Sequence, residues 1–144
     1  MNIVLVRVDD RLIHGQILES WIPFMKAQRV VVANDALAGD QFQRAILSMA
    51  IPDRIKVRIV PVEETRGLQS DTELSGLSTL VIVSSIQDAF RLRNNGIEFQ
   101  RLNIGNMKGP ETSRQISYSV WISADDERMI KEMIDQGLDV NLQS

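Results

Sequence analysis

Apolar residues recur along the chain in two rhythms. Short β-branched runs at residues 3–8, 29–33, 55–60, 79–83 and 101–104 have the look of strands buried in a sheet. Between them, residues 16–27, 41–50, 63–69 and 86–94 read as amphipathic helices, and Pro52 and Gly96 stand just past two of the ends, where a helix should stop. Strands alternating with helices predict a parallel sheet. The last third changes rhythm: a long β-prone segment at 115–122, a helix at 124–136, and a short terminal strand near 139–142. This tail is expected to pair antiparallel at an edge. The fold class that follows is α/β, a doubly wound, mainly parallel central sheet with helices on both faces and a partly antiparallel C-terminal edge.

Local signals sharpen two of these elements. Ser123 precedes Ala124-Asp125-Asp126, the spacing of a capping box, and Gly137 closes the same helix. The acids Asp125, Asp126 and Glu127 are therefore read as complements of the helix dipole rather than as a metal site. Pro23 lies well inside residues 16–27, so it bends that helix or marks a late start. Leu18, Trp21, Phe24 and Met25 on this helix belong either to the core or to a docking patch, and their spacing does not separate the two.

Composition then removes whole classes of function. With 144 residues, no repeat and no linker-like tract, the chain reads as one domain over residues 1–144. It contains 0 Cys, which excludes disulfides, thiolate nucleophiles and Cys-ligated metals, and fits a reducing compartment. Apolar runs such as Val30-Val31-Val32-Ala33 are far short of the roughly 20 residues that span a bilayer, so no direct membrane insertion is expected. The start Met1-Asn2-Ile3-Val4 lacks a basic n-region, so a cytoplasmic location is expected. A net charge of -3, with 16 basic residues spread along the chain, argues against a nucleic-acid groove. The same mild charge allows either a monomer or a homodimer.

Nucleotide and hydrolase fingerprints are absent. The stretch Gly105-Asn106-Met107-Lys108-Gly109-Pro110 follows a strand but matches no phosphate loop, and reads as a turn. Chemistry concentrates instead after the first strand, where Asp9, Asp10, Arg11 and the sole histidine, His14, fall within six positions. In an open α/β sheet that first β-to-α turn lies at the carboxyl ends of the strands, where ligands collect. Imidazole is a good nucleophile at neutral pH, Arg11 offers a planar fork for phosphoryl oxygens, and Asp9 or Asp10 is placed to orient a ring nitrogen. Gly15 would let backbone N–H approach a phosphate, and Gln16 adds donors at the helix start. The residues alone leave a second reading open: Asp10 caps the helix, Arg11 pairs with it on the surface, and His14 is a solvated turn residue.

The string Val-Arg-Val-Asp-Asp-Arg-Leu-Ile-His-Gly-Gln, residues 6–16, resembles the phosphorylation motif of the mannose/sorbose-family IIB components of the bacterial sugar phosphotransferase system. The likeness continues through Val30 to Asp35, Asn103 to Met107 and Ser119 to Asp126, in order along the whole chain. This resemblance implies a cytoplasmic phosphotransferase domain that accepts a phosphoryl group on His14 from a phosphohistidine of a IIA partner. It then passes the group to a sugar bound by membrane IIC/IID permease components. By position, Arg11 matches the arginine that holds the phosphate, Asp9 and Asp10 the acids that orient it or the imidazole, and Gly15 and Gln16 the end of the motif. The family attacks through Nδ1, and no metal or other cofactor is implied. Ser84, Ser85 and Ile86 depart from the Lys, small polar residue and Pro that many relatives carry after the fourth strand. Ser84 and Ser85 are candidate phosphate donors there, with a helix N-cap as the competing role. The departure keeps two other functions in view: a histidine-phosphorylated regulator uncoupled from transport, and a module that binds a small anion without covalent chemistry.

Overall fold

The computed structural model describes residues 1–70, 76–109, 111 and 113–143. Six strands form its main sheet: β1 (Asn2–Asp9), β2 (Arg29–Ala33), β3 (Lys56–Val60), β4 (Ser78–Val83), β5 (Arg101–Asn106) and β8 (Asp139–Leu142). Their order is β3-β2-β4-β1-β5-β8, and every neighbouring pair runs parallel. The antiparallel pairing foreseen for the C-terminal third lies in a separate ribbon of β6 (Arg114–Ser117) and β7 (Val120–Ile122). The terminal strand itself joins in parallel, with Arg101 opposite Asp139 and Ile104 opposite Leu142. A helix returns the chain to the far end of the sheet before β8 begins, and a parallel crossover requires such a connection.

The helical elements are a π-helical turn Ile17–Trp21 running into α1 (Ile22–Met25), α2 (Asp35–Ala38), α3 (Gln41–Ala50), a 3-10 helix Val62–Ser70, α4 (Ile86–Asn94) and α5 (Ala124–Asp135). Pro23 explains the first of these. It lacks the N–H that would bond to the Glu19 carbonyl, and its ring crowds that oxygen; the turn before it is wide, with Ile22 N–H donating to the Ile17 carbonyl. Residues 62–70 bury only Val62 and Thr65, three positions apart, and a three-residue turn puts that pair on one face. The short α2 gives no apolar period to read, and is started by Asn34, whose side chain accepts from Leu37 N–H at 2.9 Å.

Alternation along the strands builds a core on each face of the sheet. On one face, Val6, Val8, Val81 and Val83 meet Ile86, Ala89 and Leu92 of α4 and Met129 and Met133 of α5. On the other, Leu5, Val30, Val32, Leu80 and Ile82 meet Ile17, Trp21 and Ile22. Trp21 is therefore core, whereas Phe24 is 75% exposed. Among the described residues no helix is long and apolar enough to cross a membrane. β1 sits between β4 and β5 and is buried from Leu5 to Asp9, so its C-terminal end is fixed from both sides.

Ser123 caps α5 as its spacing predicts: its hydroxyl accepts from Asp126 N–H at 3.1 Å, and the Asp126 carboxylate accepts from Ser123 N–H at 3.0 Å. Ser123→Ala is expected to lower unfolding free energy by about 1 kcal/mol in urea titrations, with an unchanged denaturant slope.

Candidate functional site

A carboxylate without exposed surface closes β1. Asp9 is 0% exposed, and its two oxygens accept from five donors. Oδ1 takes Arg11 N–H at 3.1 Å and Arg11 Nε at 3.0 Å. Oδ2 takes Arg7 Nη2 at 3.1 Å, Arg11 Nη2 at 3.0 Å and His14 Nε2 at 3.0 Å. The chain reverses to achieve this: Leu12 N–H donates to the Asp9 carbonyl at 2.9 Å, and Leu12 adopts φ 57. A left-handed leucine costs about 1–2 kcal/mol, and that strain folds residues 11–14 back over the strand end.

The geometry favours the charged forms of Asp9 and Arg11. Burial pushes the Asp9 carboxyl up, but hydrogen bonds from Arg11 and His14 outweigh it and hold its pKa below the ordinary value. The hydrogen bond to Asp9 raises the Arg11 guanidinium in return. An ionised Asp9 accepts only, so His14 Nε2 carries a proton, and in the neutral ring Nδ1 is the nitrogen with the free lone pair. His14 is 20% exposed and Arg11 44%, which leaves both open to an incoming group. Arg11 Nη2 also donates to Gln16 Oε1 at 3.2 Å, so the fork is held on two sides while Nη1 stays uncommitted among the described residues. No group of three or more histidine or acidic side chains that could hold a metal ion is present among the described residues.

The remaining sequence candidates separate by position. Gly15 adjoins the histidine, and a Cβ there would meet nothing within 4 Å, so crowding within the chain does not require a glycine. Asp10 turns away: its carboxylate accepts from Asn106 Nδ2 at 2.6 Å and Lys108 N–H at 3.0 Å, tying the strand end to the segment after β5. Among the described residues it is hydrogen-bonded to neither Arg11 nor His14, although its charge helps raise the Arg11 guanidinium, and the first helix has no side-chain cap. Ser85 takes the N-cap role of α4, accepting from Asp88 N–H at 3.1 Å. The Ser84 hydroxyl accepts from Asn34 Nδ2 at 3.1 Å and donates to Asp88 at 3.4 Å. Val83 lies opposite Val8, yet among the described residues neither serine is bonded to His14 or Arg11.

The sequence matches, over residues 3–144, the family described as the PTS system sorbose subfamily IIB component, PTS being the sugar phosphotransferase system. The chain belongs to that family. It is 30% identical over 142 residues to the fructose-specific EIIB component of Bacillus subtilis, covering 99% of this chain and 87% of that protein. It is 25% identical over 142 residues to the mannose-specific EIIAB component of Escherichia coli, covering 99% of this chain and 44% of that longer protein. The crystal structure of an N-acetylgalactosamine-specific IIB component from Escherichia coli superposes with a TM-score of 0.91 at 27% identity, covering 99% and 94% of the two chains. As a IIB component the chain is a phosphotransferase component of the sugar phosphotransferase system, and its α/β fold is that of the solved relatives.

In this IIB domain, sequence reasoning overlooked the inner half of the cluster. Arg7, Asn103 and Gly105 lie behind Asp9, and the stretch at 105–106, read as a turn, continues β5 instead, while Pro110 lies outside the described residues. A signal existed: Arg7 and Asn103 interrupt runs that are otherwise apolar.

Asp9→Asn leaves Arg7 buried without its counter-charge, and is expected to cost about 3 kcal/mol of stability at neutral pH. Because the folded carboxyl titrates below its unfolded value, its contribution is present above about pH 4 and lost as pH falls through the folded pKa. Urea titrations across the acid range should therefore show a steeper loss for the wild type than for Asp9→Asn.

Proposed function

We propose that this IIB domain is a phosphocarrier that accepts a phosphoryl group on His14 Nδ1 from a phosphohistidine of a IIA partner and delivers it to a sugar held by membrane IIC/IID components. The observation that carries the reading is the hydrogen bond from His14 Nε2 to a buried, ionised Asp9, which leaves Nδ1 as the ring's nucleophile. In the first step the Nδ1 lone pair forms an N–P bond while the donor's N–P bond breaks and its nitrogen recovers an electron pair. No proton need be exchanged. Asp9 then faces a ring that has gained positive character, and the Nε2–H bond to it strengthens.

Arg11 supplies charge from the other side. Its Nη1 donors serve the phosphoryl oxygens while Nε and Nη2 remain on Asp9 and Gln16. Gly15 supplies space for those oxygens beside the backbone. In the second step a sugar hydroxyl oxygen attacks phosphorus, the N–P bond breaks back to Nδ1, and the hydroxyl proton leaves to a base in the sugar's own site. The long mannose-specific relative, named as both A and B component, supports a IIA donor for this chain. A cytoplasmic location follows from that donor and acceptor.

His14→Ala is expected to abolish acid-labile phosphorylation, read by intact-protein mass spectrometry with phosphoenolpyruvate, the general phosphotransferase proteins and a IIA donor. Its circular dichroism should match the wild type, since a rim side chain contributes little core burial. Uptake of phosphate by His14→Ala would overturn the assignment. Arg11→Lys keeps the charge but not the fork, and should slow transfer by about tenfold in rapid-quench assays. A wild-type rate would remove Arg11 from the mechanism.

A further inference from the structure

Arg7 is a whole arginine at 0% exposure, in a strand whose neighbours Val6 and Val8 are core. Burial lowers its pKa from the ordinary arginine value, Asp9 pulls it back, and Nε finds no acceptor among the described residues. An apolar side chain filling the same volume would carry no such desolvation penalty. What the guanidinium does instead is hold one oxygen: Nη2 donates to Asp9 Oδ2, the atom that also receives His14 Nε2. Among the described residues no hydrogen bond joins Arg7 to His14 directly; the two meet at Asp9 Oδ2.

Its own position is fixed from four directions. Trp21 covers the guanidinium at 4.4 Å from the ring centroid. Gly105 lies against it, and a Cβ there would stand 2.2 Å from Arg7 Cζ, so any side chain at 105 displaces it. Nη1 donates to Asn103 Oδ1 and, at 2.8 Å, to the Gln143 carbonyl. The Asn103 amide is in turn oriented by donating Nδ2 to Asn141 Oδ1 at 2.6 Å. Asn141 belongs to β8, Gln143 follows it, and β8 pairs with β5 alone at the sheet edge.

We infer that Arg7 is a positioning residue for phosphoryl transfer and that the C-terminal strand β8, through Asn141, Asn103 and the Gln143 carbonyl, sets its register and thereby the orientation of His14. The inference rests on His14 being the phosphoacceptor, and extends the site to a strand that contacts no reacting atom. With Arg7 displaced, Oδ2 loses its fixed donor, the carboxylate turns toward Arg11, and the Nε2–H tautomer of His14 loses its advantage.

The test uses the full chain and three variants, Asn141→Ala, Gly105→Ala and Arg7→Lys. His14 is the sole histidine, so its ring nitrogens are readable by 15N NMR without any phosphoryl donor. Each variant should show a smaller Nε2–H fraction than the wild type. Each should also transfer about tenfold more slowly at saturating phosphorylated IIA, with an unchanged KM for that donor. Wild-type tautomer populations in Asn141→Ala and Gly105→Ala would overturn the inference, even if stability fell. Should Arg7→Lys fail to fold, those two variants carry the test alone. Tautomer shifts in a protein that never takes up phosphate would instead sink the carrier reading while leaving Arg7 as the group that orients the ring.

Discussion

A carboxylate stripped of water must be given donors, and nearly everything near the end of β1 answers that requirement. Two guanidinium groups, one backbone N–H and one imidazole N–H surround Asp9. These contacts share the same two oxygens. Arg7 could not remain buried without an anion, and His14 would be an ordinary surface imidazole of undefined tautomer without an acceptor on Nε2. The left-handed turn at Leu12 is tolerated because the hydrogen bonds it completes outweigh its strain.

The sheet makes such a burial feasible. β1 is flanked by β4 and β5, both parallel, and both cores reach its side chains, so the backbone under Asp9 has no freedom to relax. Residues within the strand are thus fixed while those just beyond it are half exposed, and the charged cluster straddles that boundary. The Asp9 carboxylate meets a fully buried cation at Oδ2 and a half-exposed one at both oxygens. A site assembled this way holds its acid in place and still admits a partner to the histidine.

Much of this is legible in the sequence. The strands at 29–33 and 139–142 and the helices at 41–50 and 86–94 coincide with the observed elements, because β-branched runs and cap signals such as Ser85 act locally. His14, Arg11 and Asp9 were visible as a polar cluster after a strand. What stayed hidden depends on contacts distant in the chain. Asp10 bonds to Asn106 and Lys108, 96 and 98 residues away, and residue type and nearness to His14 do not separate it from Asp9. Strand parity does so in hindsight, since Asp9 shares a side of β1 with Arg7 and Asp10 stands past the last residue. The role of Arg7 is not legible locally, because its partners come from β5, from the first helix and from the chain after β8, and only the folded sheet brings them together.

The commitment of Arg11 to Asp9 bears on what the proposed carrier needs. A guanidinium free to grip phosphate with its whole fork would stabilise the adduct strongly, and a domain that must surrender the group to a sugar would then be slowed at the second step. Here Nε and one face of Nη2 are committed to Asp9, and Gln16 draws on Nη2 as well. In the proposed role only part of the fork reaches the phosphoryl oxygens, so the adduct is held without being trapped. The absence of a lysine at Ser84 acts in the same direction, since a second cation beside β1 would deepen the well from which the phosphoryl group must leave. In that proposed role Asp9 would have two opposed effects: stabilising the charge on a phosphorylated imidazole, and competing with the phosphate for the arginine. A carboxylate on the surface would be screened by water in both. Its complete burial is what lets one residue tune both steps.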